Sequence, residues 1–480
     1  MIDKFIDKRI YRAILFIGIS LGFTLLHANK FFFWDTISQI SIPANWYYDN
    51  NFRYFFIPDA YATGHPTFIG MYIALLWKVF GKNLLISHLA MVPFIFGILF
   101  QLDSYLRDSG KDKFTFLLIF IIVLCDSTLV TQMSMVTFDI PQIFFFLWCI
   151  NCINKERYLT LSLTFIALMI TSLRGSLCGF GIILYGLIIA YQKNPRLSIK
   201  IILPYVTGLI ALAIFLVSFY IQKHWIIHNT VSKKWEEFSK VASITGIFRN
   251  VGLVAWRLID YGRIGIWIML SVILFLSLRR KTLFDPFFKN TIYIALCQFI
   301  VIFPVVILYK NPFGHRYFLP VIIPVSIAVV YWILKYSKFR FAIYILTFIL
   351  VLSGSFWVYP DKIAQGWDAT PAHWPYYSLR NEMMDYLKIN KIPLSTVGSF
   401  FPNTASFKLT DLSDDNQSFK DADLGKEDYI LFSNVFNQSD EIIDKLFSEK
   451  NWTKEKIIEE RGVYMILFRR AGQDDAEIKE

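Results

Sequence analysis

Apolar runs approaching twenty residues recur along most of this chain, and basic residues gather at alternate ends of them. That pattern leaves few folds open. Lipid offers no partner to a free backbone N–H or C=O, so an apolar segment of this length crosses a bilayer as a helix that satisfies its own hydrogen bonds. With 55% hydrophobic residues, 18% aromatic residues and a mean hydropathy of +0.47 over 480 residues, the composition agrees. The expected fold is a polytopic α-helical membrane protein of about eleven transmembrane helices. They are placed at 13-28, 86-106, 114-130, 140-153, 159-173, 176-191, 201-220, 264-278, 290-308, 318-334 and 341-357. The first follows Lys4, Lys8, Arg9 and Arg12, and bulky Phe31-Phe32-Phe33-Trp34 stand where a signal peptide would carry a small-residue cleavage site. It is therefore read as a retained helix.

The net charge of +11 is unevenly spread. Residues 1-357 hold 33 Lys and Arg against 15 Asp and Glu, whereas 358-480 hold 15 against 22. The excess belongs to the membrane part, where it reports topology and not nucleic-acid binding. Basic clusters at the N-terminus, Arg107/Lys111/Lys113, Lys155/Arg157, Lys193/Arg196/Lys200, Arg279/Arg280/Lys281/Lys289 and Lys335/Lys338/Arg340 fall on one side. The opposite short segments carry only Arg174, Lys310 and Arg316. By the positive-inside rule the N-terminus is cytoplasmic, and an odd number of spans puts the C-terminal part outside. These features predict an integral membrane protein, expected in a bacterial inner membrane.

Some segments read differently. Thr67 to Phe80 is apolar but too short to span, so it is expected to lie flat in the outer interface. Gln222 to Arg263 reads as an outer loop anchored by Trp225, Trp235 and Trp256. After Tyr359-Pro360 the composition becomes that of a soluble domain. Helices are expected over Ser378 to Asn390 and Asp440 to Lys450, and strands over Thr396 to Phe400, Tyr429 to Phe432 and Val463 to Phe468. This predicts a small C-terminal extracytoplasmic α/β domain over 358-480, following a membrane domain over 1-357 with an outer loop at 29-85. Cys149-x-x-Cys152 lies in an apolar span and reads as packing, and Asp411, Asp414 and Asp415 read as a solvated loop.

On this topology Asp35, His65, Asp139, Arg174, His315 and Arg316 all meet the outer face. Alone, each has an ordinary explanation as a helix cap, a solvated residue or a lipid-headgroup contact. Together they suit chemistry on a lipid-borne substrate, because ionisable groups cost less at a bilayer edge than at its centre. No Cys/His cluster or close carboxylate set requires a metal, so no cofactor is expected, although a divalent ion is compatible.

The order of these residues resembles the GT-C type of membrane glycosyltransferases, in particular the protein O-mannosyltransferase and lipid A aminoarabinose transferase superfamily. The similarity rests on Asp35 after the first helix, His65-Pro66 opening a juxtamembrane helix that ends at Val79-Phe80-Gly81, and Asp139 before a later span. Arg174 in Ser172-Leu173-Arg174-Gly175 and Arg316 in Arg316-Tyr317-Phe318-Leu319-Pro320 extend it. Thr36 stands where many members carry a second acid, and Thr67 replaces a second proline. The resemblance implies transfer of a sugar from a polyprenyl-phosphate donor to a hydroxyl on a glycolipid, glycan or protein. Since a sugar phosphate already leaves well, one carboxylate and a set of cations suffice. Asp35 is assigned as base, with Arg174, His315 and Arg316 on the phosphate. Asp139 orients the acceptor or the loop, and His65 either contacts phosphate or caps the interfacial helix. A transporter or flippase remains the alternative, with Asp126 inside the third span as its candidate ion site, and a non-catalytic scaffold is the third reading.

Overall fold

The structure is a computed structural model that describes residues 9–107, 110, 113–195, 198–226, 240–280, 284–310, 313–448 and 451–471. Lys4, Lys8, Lys111, Arg196, Trp235 and Lys281 lie outside the described residues. Every segment expected to span is helical. The chain begins with α1 (Arg9–His27), a π-turn at Ile37–Ser41 running into α2 (Ile42–Asp49), α3 (Phe68–Phe80), α4 (Leu84–Leu89) and α5 (Val92–Arg107). There follow α6 (Lys113–Leu124), α7 (Ser127–Met133), α8 (Asp139–Asn154), α9 (Tyr158–Thr171), α10 (Leu173–Lys193) and α11 (Ile199–Lys223). The membrane part closes with α12 (Ile244–Ile259), α13 (Ile264–Arg280), α14 (Pro286–Leu308), α15 (Leu319–Tyr336) and α16 (Arg340–Ser353).

Among the described residues six helical stretches are long and apolar enough to cross a membrane, or eight if two bent pairs each count as one span. Expectation and structure part in the count, since eleven spans are expected and Tyr158–Thr171 and Arg340–Phe356 are shorter apolar helices, and at the bends. The span expected over 114-130 breaks by 74° between α6 and α7. Asp126 makes the break: its side chain accepts from the amides of Thr128 and Leu129, both at 3.1 Å, and so caps a new helix. Within the expected loop 222-263, α12 is a helix bent 94° from α13. Its outward residues Ile244, Phe248, Val251 and Ile259 repeat at helical spacing along one apolar face. At 13 residues, or about 20 Å, α3 is indeed too short to span.

The ion pairs sort the bundle by its ends. Arg12 and Arg107 meet Asp103, Lys193 meets Glu156 and Lys335 meets Asp285 at one end. The opposite ends of α1, α8, α10 and α15 carry Asp35, Asp139, Arg174 and Arg316. Close backbone approach fixes the loop before α13. A Cβ on Gly262, whose φ is +77°, would sit 1.7 Å from the Leu350 carbonyl oxygen, and one on Gly354 would sit 2.0 Å from that of Tyr261.

The C-terminal part contains α17 (Pro375–Ile389), α18 (Phe407–Thr410), α19 (Asp440–Phe447) and a sheet of β1 (Val397–Ser399), β2 (Lys420–Asp421), β3 (Tyr429–Ser433), β4 (Trp452–Glu460) and β5 (Val463–Arg470). Strand order is β2-β1-β3-β5-β4, with β1 parallel to both neighbours and β5 antiparallel to β3 and β4. One apolar core joins this domain to the segment that follows α1. Phe31 and Phe33 pack with Trp367, Tyr376 and Tyr377, Arg380 covers the Phe31 ring at 4.1 Å, and the Phe32 amide donates to Thr410 at 2.9 Å. Arg380 also pairs with Asp411, which is therefore bound and not a free loop carboxylate.

Candidate active site

Asp35 is presented by a tight turn beyond α1. Thr36 closes it from both sides, its hydroxyl receiving the Phe33 amide and donating to the Phe33 carbonyl, each at 2.8 Å. Trp34 takes a left-handed φ of +48°, uncommon for a bulky residue. Asp139 sits in the first turn of α8, and its amide donates to the Thr137 hydroxyl at 2.8 Å. Arg174 stands in the first turn of α10, whose cap is Ser172 accepting from the Gly175 amide at 2.9 Å. Arg316 lies on the short 3-10 turn His315–Phe318 that leads into α15.

These four converge. Arg174 Nη1 lies 2.9 Å from Asp139 Oδ1, and Arg316 Nε lies 3.6 Å from Asp139 Oδ2. Arg316 then extends Nη2 to Asp35 and Nη1 to Asp368, a residue of the C-terminal part. Arg174 is buried against the rings of Phe138 and Tyr317, with its guanidinium carbon 4.5 and 4.3 Å from their centres. Apart from the ion pair with Asp139, its nitrogens have no hydrogen-bond acceptor among the described residues. A buried guanidinium with donors to spare is suited to an anion.

His65 is beside the cluster and neutral. Its Nδ1 accepts from the Leu173 amide at 3.2 Å, so it caps α10, the helix of Arg174, and not the interfacial helix. Burial and then Arg174 hold its imidazole down to about 3. His315 turns away from the guanidiniums. Its Nε2 meets Asp260 Oδ2 at 2.6 Å, and Asp260 also accepts from the Tyr359 hydroxyl and from the Tyr261 amide at 2.8 Å. The Tyr261 hydroxyl in turn donates to the Gly366 carbonyl at 3.0 Å. His315 thus braces the turn that carries Asp368.

Asp368 is the member that sequence reasoning missed. It lies on the 3-10 turn Trp367–Ala369, and its carbonyl accepts from Gln132 Nε2 at 2.7 Å. Gln132 Oε1 accepts in turn from the Thr137 hydroxyl at 2.9 Å. The only local signal is the pair Trp367-Asp368, which repeats Trp34-Asp35.

The carboxylates differ electrically. Desolvation pushes the Asp35 carboxyl up, but Arg316 and then Arg174 pull harder and hold it below the usual carboxylate range. Asp368 is pushed up by burial, Arg316 pulls it back, and the charges of Asp35 and Asp139 leave it above that range. Among the described residues no three His, Cys, Asp or Glu side chains are arranged to hold a metal ion. Elsewhere, Asp126 is occupied by a buried two-pronged ion pair with Arg263, both contacts at 2.7 Å.

A helical bundle with short apolar helices and an appended α/β domain, with Asp35, Asp139, Arg174, Arg316 and Asp368 clustered at one end, defines a polytopic membrane protein. The fold is similar to that of a solved protein, ArnT from Cupriavidus metallidurans bound to undecaprenyl phosphate. The TM-score is 0.52 at 14% identity, covering 80% of this chain and 72% of that one. No family model and no curated protein matches the sequence.

Proposed function

We propose that this protein is a glycosyltransferase that moves a sugar from a polyprenyl-phosphate donor to an acceptor hydroxyl at the outer membrane face. The observation that carries the reading is the cluster in which Arg174 and Arg316 share Asp139 while Arg316 also meets Asp35 and Asp368. A transferase of this kind needs cations for a departing phosphate and a carboxylate for a proton, and both kinds of group stand together here. The fold is shared with a protein solved with undecaprenyl phosphate, which supports a lipid phosphate as the anion.

In the proposed reaction the acceptor oxygen attacks the anomeric carbon as the bond from that carbon to the phosphate oxygen breaks. Polyprenyl phosphate leaves with the bonding electrons, and the hydroxyl proton passes to a carboxylate. A single displacement inverts the anomeric configuration. Arg174 and Arg316 hold the phosphate, and Asp35, the most open of the three carboxylates at 38% exposure, faces the sugar. The N-terminus is cytoplasmic, and the C-terminal domain and the site lie outside. The acceptor is a glycolipid, a glycan or a protein.

The test is a panel of radiolabelled polyprenyl-phosphate sugars offered to purified protein in liposomes, comparing wild type with Asp35→Asn. Transfer or sugar release that needs Asp35 supports the reading and identifies the donor. Flux of substrate across the liposome with no cleavage of any donor would replace it with the transporter reading.

A further inference from the structure

Three carboxylates face two guanidiniums in this site, and His65 brings no third cation because its Nδ1 accepts a backbone amide. One negative charge is therefore uncompensated, and that charge is where a proton goes most easily. Counting the donors around each carboxylate shows which. Asp139 lies against both Arg174 and Arg316 and within 3.4 Å of the Thr137 hydroxyl. Asp35 has Arg316 and, at 3.3 Å, the Gln39 amide. Among the described residues the side chain of Asp368 has Arg316 alone.

We infer, building on the transferase reading, that Asp368 is a further catalytic residue: it takes the proton of the acceptor hydroxyl, while Asp35 stays ionised beside the sugar. The bond account is unchanged. The acceptor O–H breaks to Asp368, the acceptor oxygen bonds the anomeric carbon, and the phosphate leaves unprotonated on Arg174 and Arg316. Asp35 then has a separate task, since its fixed negative charge lies where positive charge develops at the anomeric carbon. The opposite directions in which the site pushes the two carboxyls agree with this division.

Placement supports it independently. Asp368 belongs to the C-terminal part, yet the membrane part fixes its turn through Gln132 on the Asp368 carbonyl and Tyr261 on the Gly366 carbonyl. Its side chain, 17% exposed, remains reachable.

The experiment uses the full-length protein in liposomes with a donor that wild type cleaves, and measures kcat, donor KM and the pH profile for Asp368→Asn, Asp368→Glu and Asp35→Asn. Wild-type kcat is expected to fall at acid pH as the base becomes protonated. Asp368→Asn should lose roughly 10²- to 10⁴-fold in kcat with donor KM unchanged and the acid limb gone. Asp368→Glu should regain part of the rate together with the limb, which a merely unfolded variant would not do. Asp35→Asn should slow the reaction yet keep the limb. The assignment is overturned if Asp368→Asn turns over like wild type, if it loses donor affinity in step with rate, or if the limb disappears with Asp35→Asn instead. Wild type that cleaves no donor in the panel defeats the transferase reading itself, a result distinct from all of these.

Discussion

Arg174 packs against the rings of Phe138 and Tyr317 and pairs with Asp139. Lysine has neither the plane nor the fork, so Arg174→Lys is expected to weaken donor binding by about tenfold or more, read as KM or by direct titration. Lys30 makes a second single-residue prediction. Its ammonium packs 3.9 Å over the Trp374 ring with no acceptor among the described residues, and burial pulls it down to about 7. Between about pH 7 and 10 the unfolded chain binds the extra proton, so raising the pH across that window stabilises the fold. Melting curves of wild type should rise over it, and those of Lys30→Met should rise less. That Asp35, Asp139, Arg174 and Arg316 meet at one end could be read from sequence because each lies beside a helix terminus on the same side of the bundle. His315 was misleading because neighbours on a 3-10 turn point about 120° apart, so only one of the pair faces the site. Asp368 follows no apolar period that would place it, and only folding brings it there.

Helices were legible because their apolar runs are long, and their bends were not. An aspartate in an apolar run reads equally as an ion site or as a cap, and only its partner decides. Asp126 and Arg263 are 5% and 1% exposed, so removing one leaves the other buried and unpaired. Asp126→Ala or Arg263→Ala should each cost about 3 to 5 kcal/mol, seen as a large fall in detergent melting temperature. The double variant Asp126→Leu/Arg263→Met should recover much of it. Strand β4 escaped the sequence reading for a different reason. It is an edge strand, and Lys454, Glu455, Lys456, Glu459 and Glu460 hide its alternation under the charges that protect such an edge.

At the scale of the molecule, charge carried the most information. The basic ends expected on one side are tied to one another by ion pairs in the described residues, and the site occupies the other end. The proposed orientation makes a labelling prediction. Four of the five native cysteines are buried and Cys125 is half-buried, so an engineered thiol dominates the signal. In intact cells Lys388→Cys should react with a membrane-impermeant maleimide, whereas Lys338→Cys should react only after permeabilisation. The role of the C-terminal domain was not legible, because its contribution to the site is one side chain arriving from a separate stretch of chain.

That late arrival has a consequence for biosynthesis. Asp35, Asp139, Arg174 and Arg316 are made and inserted while the chain is still growing, but Asp368 follows 333 residues after the first of them. A nascent chain that has threaded most of its helices into the membrane still lacks one wall of its charged cluster. On the proposed mechanism the protein stays catalytically silent until the domain that carries Asp368 emerges and docks.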